Sequence, residues 1–252
     1  MRLDKYLAHA ANLSRKDAAG AIRSGQVQVN GRPERTPDAQ VDPDSDRVFL
    51  HGLPVLYKAF HYYLVHKPRG VVSVTEDRLH GEKTVLDLLP DGVPRRNLFP
   101  CGRLDKNTTG LLLLTDDGRT GHALLSPARH VEKEYAFEVK FPLSEEDRAA
   151  LCAGVDIGEE KPTRPCTVTL NGERSGTIVL NEGKYHQIKR MMEAVHNQIV
   201  SLCRIRFGPL CLEPGFEPGM IRPLSDFEVE MLQNCIRSKE EKNDESQNHP
   251  GK

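Results

Sequence analysis

Gly102-Arg103-Leu104-Asp105-Lys106-Asn107-Thr108-Thr109-Gly110, continuing into Leu111-Leu112-Leu113-Leu114-Thr115, sets a glycine-bounded polar loop against a segment with no polar face. Four consecutive leucines show no period-two alternation. Both faces of a strand here are therefore expected to be buried, as at the centre of a covered sheet. Asp105 falls at the mouth of that rigid element, between Arg103 and Lys106. Neighbouring cations favour the ionised carboxylate and lower its pKa, which is the state a carboxylate nucleophile needs. The same residues also fit an aspartate that merely closes a turn, with Asn107, Thr108 and Thr109 bonding to nearby amides.

Around this stretch, apolar strand-like runs alternate with a few helical ones, which predicts an α+β body with a central sheet. Residues 61–67 and 71–74 read as strands around a turn at Pro68-Arg69-Gly70, and 136–141 and 177–180 as further strands. A short helix is expected to begin within 121–125, and another over 144–154 with Ser144 as its cap. In Glu182-Gly183-Lys184-Tyr185-His186-Gln187-Ile188-Lys189-Arg190-Met191-Met192, the residues Ile188, Met191, Met192 and Val195 repeat at helical spacing. Lys189 lies about 100° from Ile188, at the border of the buried face. There it either snorkels to solvent or brings a partly desolvated ammonium to a carboxylate. His186 has no second histidine or carboxylate at ligand spacing, so no metal site is expected.

The front of the chain reads differently. Within residues 1–35, Arg2, Lys5, Arg15, Lys16, Arg23, Arg32 and Arg35 stand against only Asp4, Asp17 and Glu34, although the whole chain carries a net charge of −1. Gathered positive charge is compatible with nucleic-acid binding even when the total is near neutral. Ser14, with Asp17 three residues on, caps a helix that stops at Gly25. Its Ala18, Ala21 and Ile22 share one side, while Arg15, Lys16 and Arg23 cluster on another. Residues 26–29 alternate like a strand, Asn30-Gly31 is a hairpin turn, and a strand near 47–50 closes a small sheet.

At 252 residues there is room for a large and a small domain. The six cysteines show no pair at the spacing of a zinc knuckle or redox dithiol, and read as idle thiols. No secretory signal opens the chain and no apolar run reaches the roughly 20 residues of a membrane helix, so a reducing cytoplasm is the expected compartment.

The loop and strand from Gly102 through Thr115-Asp116-Asp117-Gly118 resemble the signature of the RNA pseudouridine synthases of the ribosomal small-subunit and related large-subunit type. Met1-Arg2-Leu3-Asp4-Lys5-Tyr6-Leu7, Ser14-Arg15, Gly25-Gln26-Val27 and Val29-Asn30-Gly31 resemble an S4 RNA-binding domain. The first resemblance implies that Asp105 is the catalytic nucleophile. It also implies that Tyr135, in Glu132-Lys133-Glu134-Tyr135, packs against the target base or accepts a proton, and that Lys189 is the cation paired with Asp105. Leu202 would line the pocket and Arg103 would hold the flipped state. Read from the residues alone, Tyr135 and Leu202 are equally core residues and Arg103 a phosphate contact. The second resemblance implies an RNA handle built on Arg2, Lys5, Arg15, Lys16 and Arg23.

Together these imply an S4-like domain over 1–51, a linker over 52–59, and a synthase domain over 60–235 with a central, mostly antiparallel or mixed sheet flanked by helices. A disordered tail is expected over 236–252, where apolar periodicity stops. The implied reaction is isomerisation of a ribosomal RNA uridine without metal or cofactor, by a monomer acting on RNA or on a partly assembled subunit and not on a membrane. The form Gly183-Lys184-Tyr185-His186-Gln187-Ile188-Lys189-Arg190-Met191 is closer to the small-subunit branch, which points to 16S RNA of the position-516 type. A 23S target, or a non-catalytic S4-domain assembly factor, is the alternative reading.

Overall fold

The structure is a computed structural model that describes residues 1–91, 93, 95–126 and 131–247, with side chains to 237. The chain divides into two units. One comprises Met1–His61 with Leu89–Asn97, the other Tyr62–Leu88 with Leu98–Lys252.

The first unit opens with helices α1 (Leu3–Ala10) and α2 (Arg15–Arg23), followed by strands β1 (Val27–Val29), β2 (Arg32–Pro33), β3 (Val48–Leu50) and β4 (Leu53–Val55). The strands form one antiparallel sheet in the order β2-β1-β3-β4. The Ser14 side chain accepts the Asp17 amide, as the capping pattern predicts, and frees α2 to lay Ala18 and Ile22 into a core with Leu3, Tyr6, Leu7 and Val27. The hairpin turn is where expected: Asn30 and Gly31 have φ of 53° and 78°, and Val29 pairs with Arg32. Of the stretch expected as a linker, residues 52–55 are in a turn and a strand, and 56–59 are not. His51 and Gly52, at φ 51° and 77°, make a second such turn, and β4 extends the sheet edge, where Pro54 is tolerated. The Tyr6 hydroxyl donates to the Val55 carbonyl at 2.8 Å, tying that edge to α1.

The second unit contains β5 (Tyr62–Lys67), a 3-10 turn (Val85–Leu88), β6 (Phe99–Pro100), β7 (Thr109–Thr115), α3 (Gly118–Leu125), β8 (Lys133–Val139) and α4 (Glu145–Ala153). It continues with β9 (Thr167–Gly172), β10 (Ser175–Leu180), α5 (Gln187–Ala194), β11 (Ile199–Phe207), β12 (Leu210–Cys211), β13 (Ile221–Pro223) and α6 (Asp226–Gln247). The sheet order is β13-β5-β7-β11-β8-β10-β9, with β6 on β7 and β12 on β11. Pairing is antiparallel except between β7 and β11, which makes the sheet mixed.

The leucine strand is central, as its sequence predicts. Leu111 to Leu114 are each fully buried between β5 and β11. One core cluster gathers Leu64, Leu111, Leu113, Phe207 and Leu232, and a second gathers Phe137, Leu151, Ile178, Met191 and Met192. At the start of β7, Gly110 has φ 104°, and a Cβ there would run into the backbone of Arg204. Only glycine lets β11 approach this closely, so the parallel pairing depends on it.

Two expectations fail here. Residues 71–74 are not a strand, since only Val72 bridges to Thr84, exchanging bonds with Lys83 and Val85, while the Val71 carbonyl accepts from Lys67 and the Ser73 hydroxyl meets Leu104 of the Asp105 loop. Residues 236–247 continue α6 rather than forming a structureless tail. Apolar periodicity does end, but Lys and Glu are strong helix formers and propagate a helix already nucleated by Leu232 and Ile236 in its buried part. Residues 248–252 lie outside the described residues.

Candidate active site

The loop that carries Asp105 is fixed from below before any ligand is considered. Lys67, at the end of β5, is completely buried, and its ammonium donates to the carbonyls of Val71 at 2.7 Å, Pro68 at 3.1 Å and Lys106 at 3.2 Å. Ser73 donates to the Leu104 carbonyl at 2.8 Å and accepts the Leu104 amide at 3.1 Å. The Gly70 amide reaches the Lys106 carbonyl, and the Thr108 amide closes a turn onto the Asp105 carbonyl. With its backbone held on both sides, the Asp105 carboxylate is presented in one direction.

It meets α5 there. Lys189 donates to Asp105 Oδ2 at 2.6 Å, a charge-assisted bond between residues 84 apart in sequence. His186 Nε2 lies 3.5 Å from Oδ1. The carboxylate and Lys189 side chains keep 29% and 28% of their surface, so the pair is reachable from solvent yet partly desolvated. The sequence neighbours behave otherwise: Lys106 pairs with Glu82 at 2.5 Å, and Arg103 is exposed. The cation on Asp105 therefore comes from the distant helix and not from its own loop. Burial lowers the Lys67 ammonium to about 8, with the nearby Asp105 charge opposing and Lys189 reinforcing the shift.

Asp105, Lys189, Arg103, Tyr135 and Leu202 all line one cavity of about 1050 Å³. Tyr135 lies on β8, opposite Arg204 of β11 and Ile178 of β10, half-buried with its ring against the second core cluster. Leu202 on β11 is buried, 7% exposed, and its carbonyl accepts a long bond from Thr109. Two further polar atoms of the cavity residues, Thr108 Oγ1 and Arg204 Nη2, are buried with no partner among the described residues. Such atoms leave room for hydrogen bonds to a polar ligand. Around Asp105 the described residues do not bring three metal-ligating atoms together. A held carboxylate beside an ammonium, an aromatic ring and an apolar wall suits nucleophilic or proton-transfer chemistry on a planar polar ring.

A family model for RNA pseudouridylate synthase matches residues 61–194, and an S4 domain model matches residues 1–48. The chain belongs to the RNA pseudouridylate synthase family. It is 42% identical over 236 residues to the Bacillus subtilis protein named uncharacterized RNA pseudouridine synthase YtzG, covering 92% of this chain and 98% of that one. It is 36% identical over 231 residues to ribosomal small subunit pseudouridine synthase A of Escherichia coli K12, covering 91% and 98%. A crystal structure of a pseudouridylate synthase superposes with a TM-score of 0.65 at 33% identity, over 92% of this chain and 99% of that one. The chain is thus an enzyme of the isomerase class with an S4 RNA-binding domain.

Of the basic residues assigned to the S4 domain of this synthase, Lys5, Arg15, Lys16 and Arg23 are exposed. Arg2 is exposed as well, and it also forks onto the buried Asp4 at 2.8 and 3.1 Å, which raises the guanidinium and lowers the carboxyl pKa. Sequence reasoning passed over Lys67, Ser73 and Arg204, and considered His186 near Asp105 but set it aside as a metal ligand. Two signals were present. Lys67 ends an apolar strand whose every residue is buried, and Arg204 stands two residues after Leu202, on the inward register of β11. Among the described residues no helix is long and apolar enough to cross a membrane.

Proposed function

We propose that this synthase converts a uridine of small-subunit ribosomal RNA to pseudouridine, with Asp105 as the nucleophile. The observation that carries the reading is the Asp105–Lys189 pair at 2.6 Å on the wall of a cavity that also holds Tyr135 and Leu202. A uridine stacked in RNA cannot turn in place, so it is extruded at a cost of a few kcal/mol, which phosphate contacts offset. Arg103, exposed on the cavity rim, fills the vacated stack. Leu202 and Tyr135 hold the uracil face, and Lys189 bonds to the Asp105 carboxylate and aims it. The C1′–N1 bond breaks as Asp105 acts on the sugar, by addition or by drawing off a proton to give a glycal. The uracil turns while held and C1′ bonds to C5, with the C5 proton lost and N1 protonated.

The small-subunit assignment draws on the Lys184-Tyr185-His186-Gln187-Ile188-Lys189 form, and on relatives named ribosomal small subunit pseudouridine synthase A in Haemophilus influenzae (35%), Pseudomonas aeruginosa (39%) and Escherichia coli (36%). The target is a 16S site of the position-516 type. The protein acts as a monomer in the cytoplasm, on RNA or on a partly assembled subunit, without a cofactor, with Arg2, Lys5, Arg15, Lys16 and Arg23 on phosphates.

Incubation of unmodified ribosomal RNA with the purified protein, followed by carbodiimide treatment and reverse transcription, tests this. One new stop in small-subunit RNA is the expected result, and a stop only in large-subunit RNA overturns the target. Asp105→Asn should fold and bind RNA as before and give no stop; residual turnover in a clean preparation removes Asp105 from the nucleophile's role.

A further inference from the structure

Tyr185 is a large aromatic side chain left 69% exposed on the rim of the cavity. It is not loose. Its ring stacks on His186, with centroids 3.9 Å apart and planes 18° from parallel. His186 holds a left-handed backbone, φ 49°, a conformation non-glycine residues seldom take and one that calls for a reason. The segment around the pair is braced from both ends. The Lys184 amide donates to Gln187 Oε1 at 2.9 Å, Gln187 Nε2 donates to Glu182 at 2.6 Å, and Arg190 donates to the Tyr185 carbonyl at 3.1 Å. Lys184 is itself tied to the carbonyls of Lys161 and Pro162. The His186 ring then reaches Asp105 Oδ1 at 3.5 Å through Nε2, so the imidazole links the carboxylate to an open aromatic surface.

Extruding a nucleotide leaves a base on each side of it short of a stacking partner, and the planar Arg103 guanidinium covers one of them. A rigid aromatic at the cavity mouth supplies a partner for the other without base-specific bonds and with little ordering cost, because the stack already exists. We propose that Tyr185, propped by His186, is the stacking platform for the base adjacent to the flipped uridine. The inference rests on Asp105 being the group that meets the target sugar. It adds an RNA-binding residue outside the set that acts on the target base.

The RNA that the wild-type protein converts, of either ribosomal subunit, serves as the probe. Tyr185→Ala is expected to raise its Kd and KM about 5- to 150-fold, the span seen on removing aromatic stacking residues. The single-turnover rate at saturating RNA should stay within about threefold, and Tyr185→Trp should bind like wild type. RNA made abasic at the nucleotide on one side of the target should bind wild type as weakly as the variant, and bind the variant no worse than intact RNA does. Unchanged affinity in Tyr185→Ala overturns the proposal. So does a lost saturating rate with affinity intact, or an equal penalty for both proteins from abasic sites on either side. The Kd comparison needs no turnover, so it stands apart from failure of the Asp105 assignment, which would appear as turnover by Asp105→Asn.

Discussion

Lys67 and Lys189 both reach the Asp105 loop, yet one has no exposed surface and the other opens onto the cavity. Lys67 spends its ammonium on three backbone carbonyls and fixes the shape of the loop. Lys189 spends its own on the carboxylate. Burying an ammonium costs several kcal/mol, and the three carbonyls are what make the position tenable. The two ammoniums on this loop thus divide the labour, one holding backbone carbonyls and the other the carboxylate that lines the cavity. Proximity in sequence predicts neither role, since Lys106, adjacent to Asp105, is engaged by Glu82.

The division breaks or sharpens under substitution. Lys189→Met should lower the single-turnover rate about a hundredfold or more while leaving the thermal midpoint nearly unchanged, because the lost contact acts on charge and aim at a half-open site. A rate near wild type would show that the pair has no part in the reaction. Lys67→Met should do the reverse. Stability in urea should fall by about 3 kcal/mol as buried carbonyls lose their donor, with the rate of the folded fraction within about tenfold of wild type. Its pH dependence has a defined sign. Below about 8, folded and unfolded Lys67 are both charged and the burial penalty is fully present. As pH rises from there toward the ordinary 10.5, the folded state gives up its proton first and the unfolded state binds more, so wild type gains stability relative to Lys67→Met. Parallel curves across that window would remove Lys67 as the buried titrating group. The smallest effect belongs to Lys106→Ala, where loss of a half-exposed pair should cost about 0.5 kcal/mol and change the rate by no more than about twofold.

What the sequence made legible follows from how local each signal is. Ser14 and Ser144 announce their helices within four residues, Asn30-Gly31 its hairpin, and Leu111 to Leu114 a buried strand, because capping, turn chemistry and burial act over short spans. Asp105, Lys189, Tyr135 and Leu202 were brought together by resemblance of motifs, since no periodicity relates residues so far apart. Residues 71–74 misled because their β-branched composition is real, while the Val71 carbonyl is taken by Lys67, the Val72 backbone by Lys83 and Val85, and Ser73 by Leu104. The His51-Gly52 turn went unread for want of the usual Asn-Gly pair. Arg2 reads from the sequence as a free cation, whereas Asp4, two residues on, shares it while leaving it exposed.

The parallel β7–β11 contact, licensed by Gly110, also bears on the order in which the molecule assembles. Hairpins such as β9–β10 close over short loops, whereas the strand after Asp105 and the one after Lys189 must find each other across most of the second unit. Loop-closure entropy makes such distant pairing the slow event. A refolding chain therefore holds its carboxylate without its ammonium until late, and recovery of isomerisation should lag recovery of secondary structure, so that turnover reports on completion rather than on collapse.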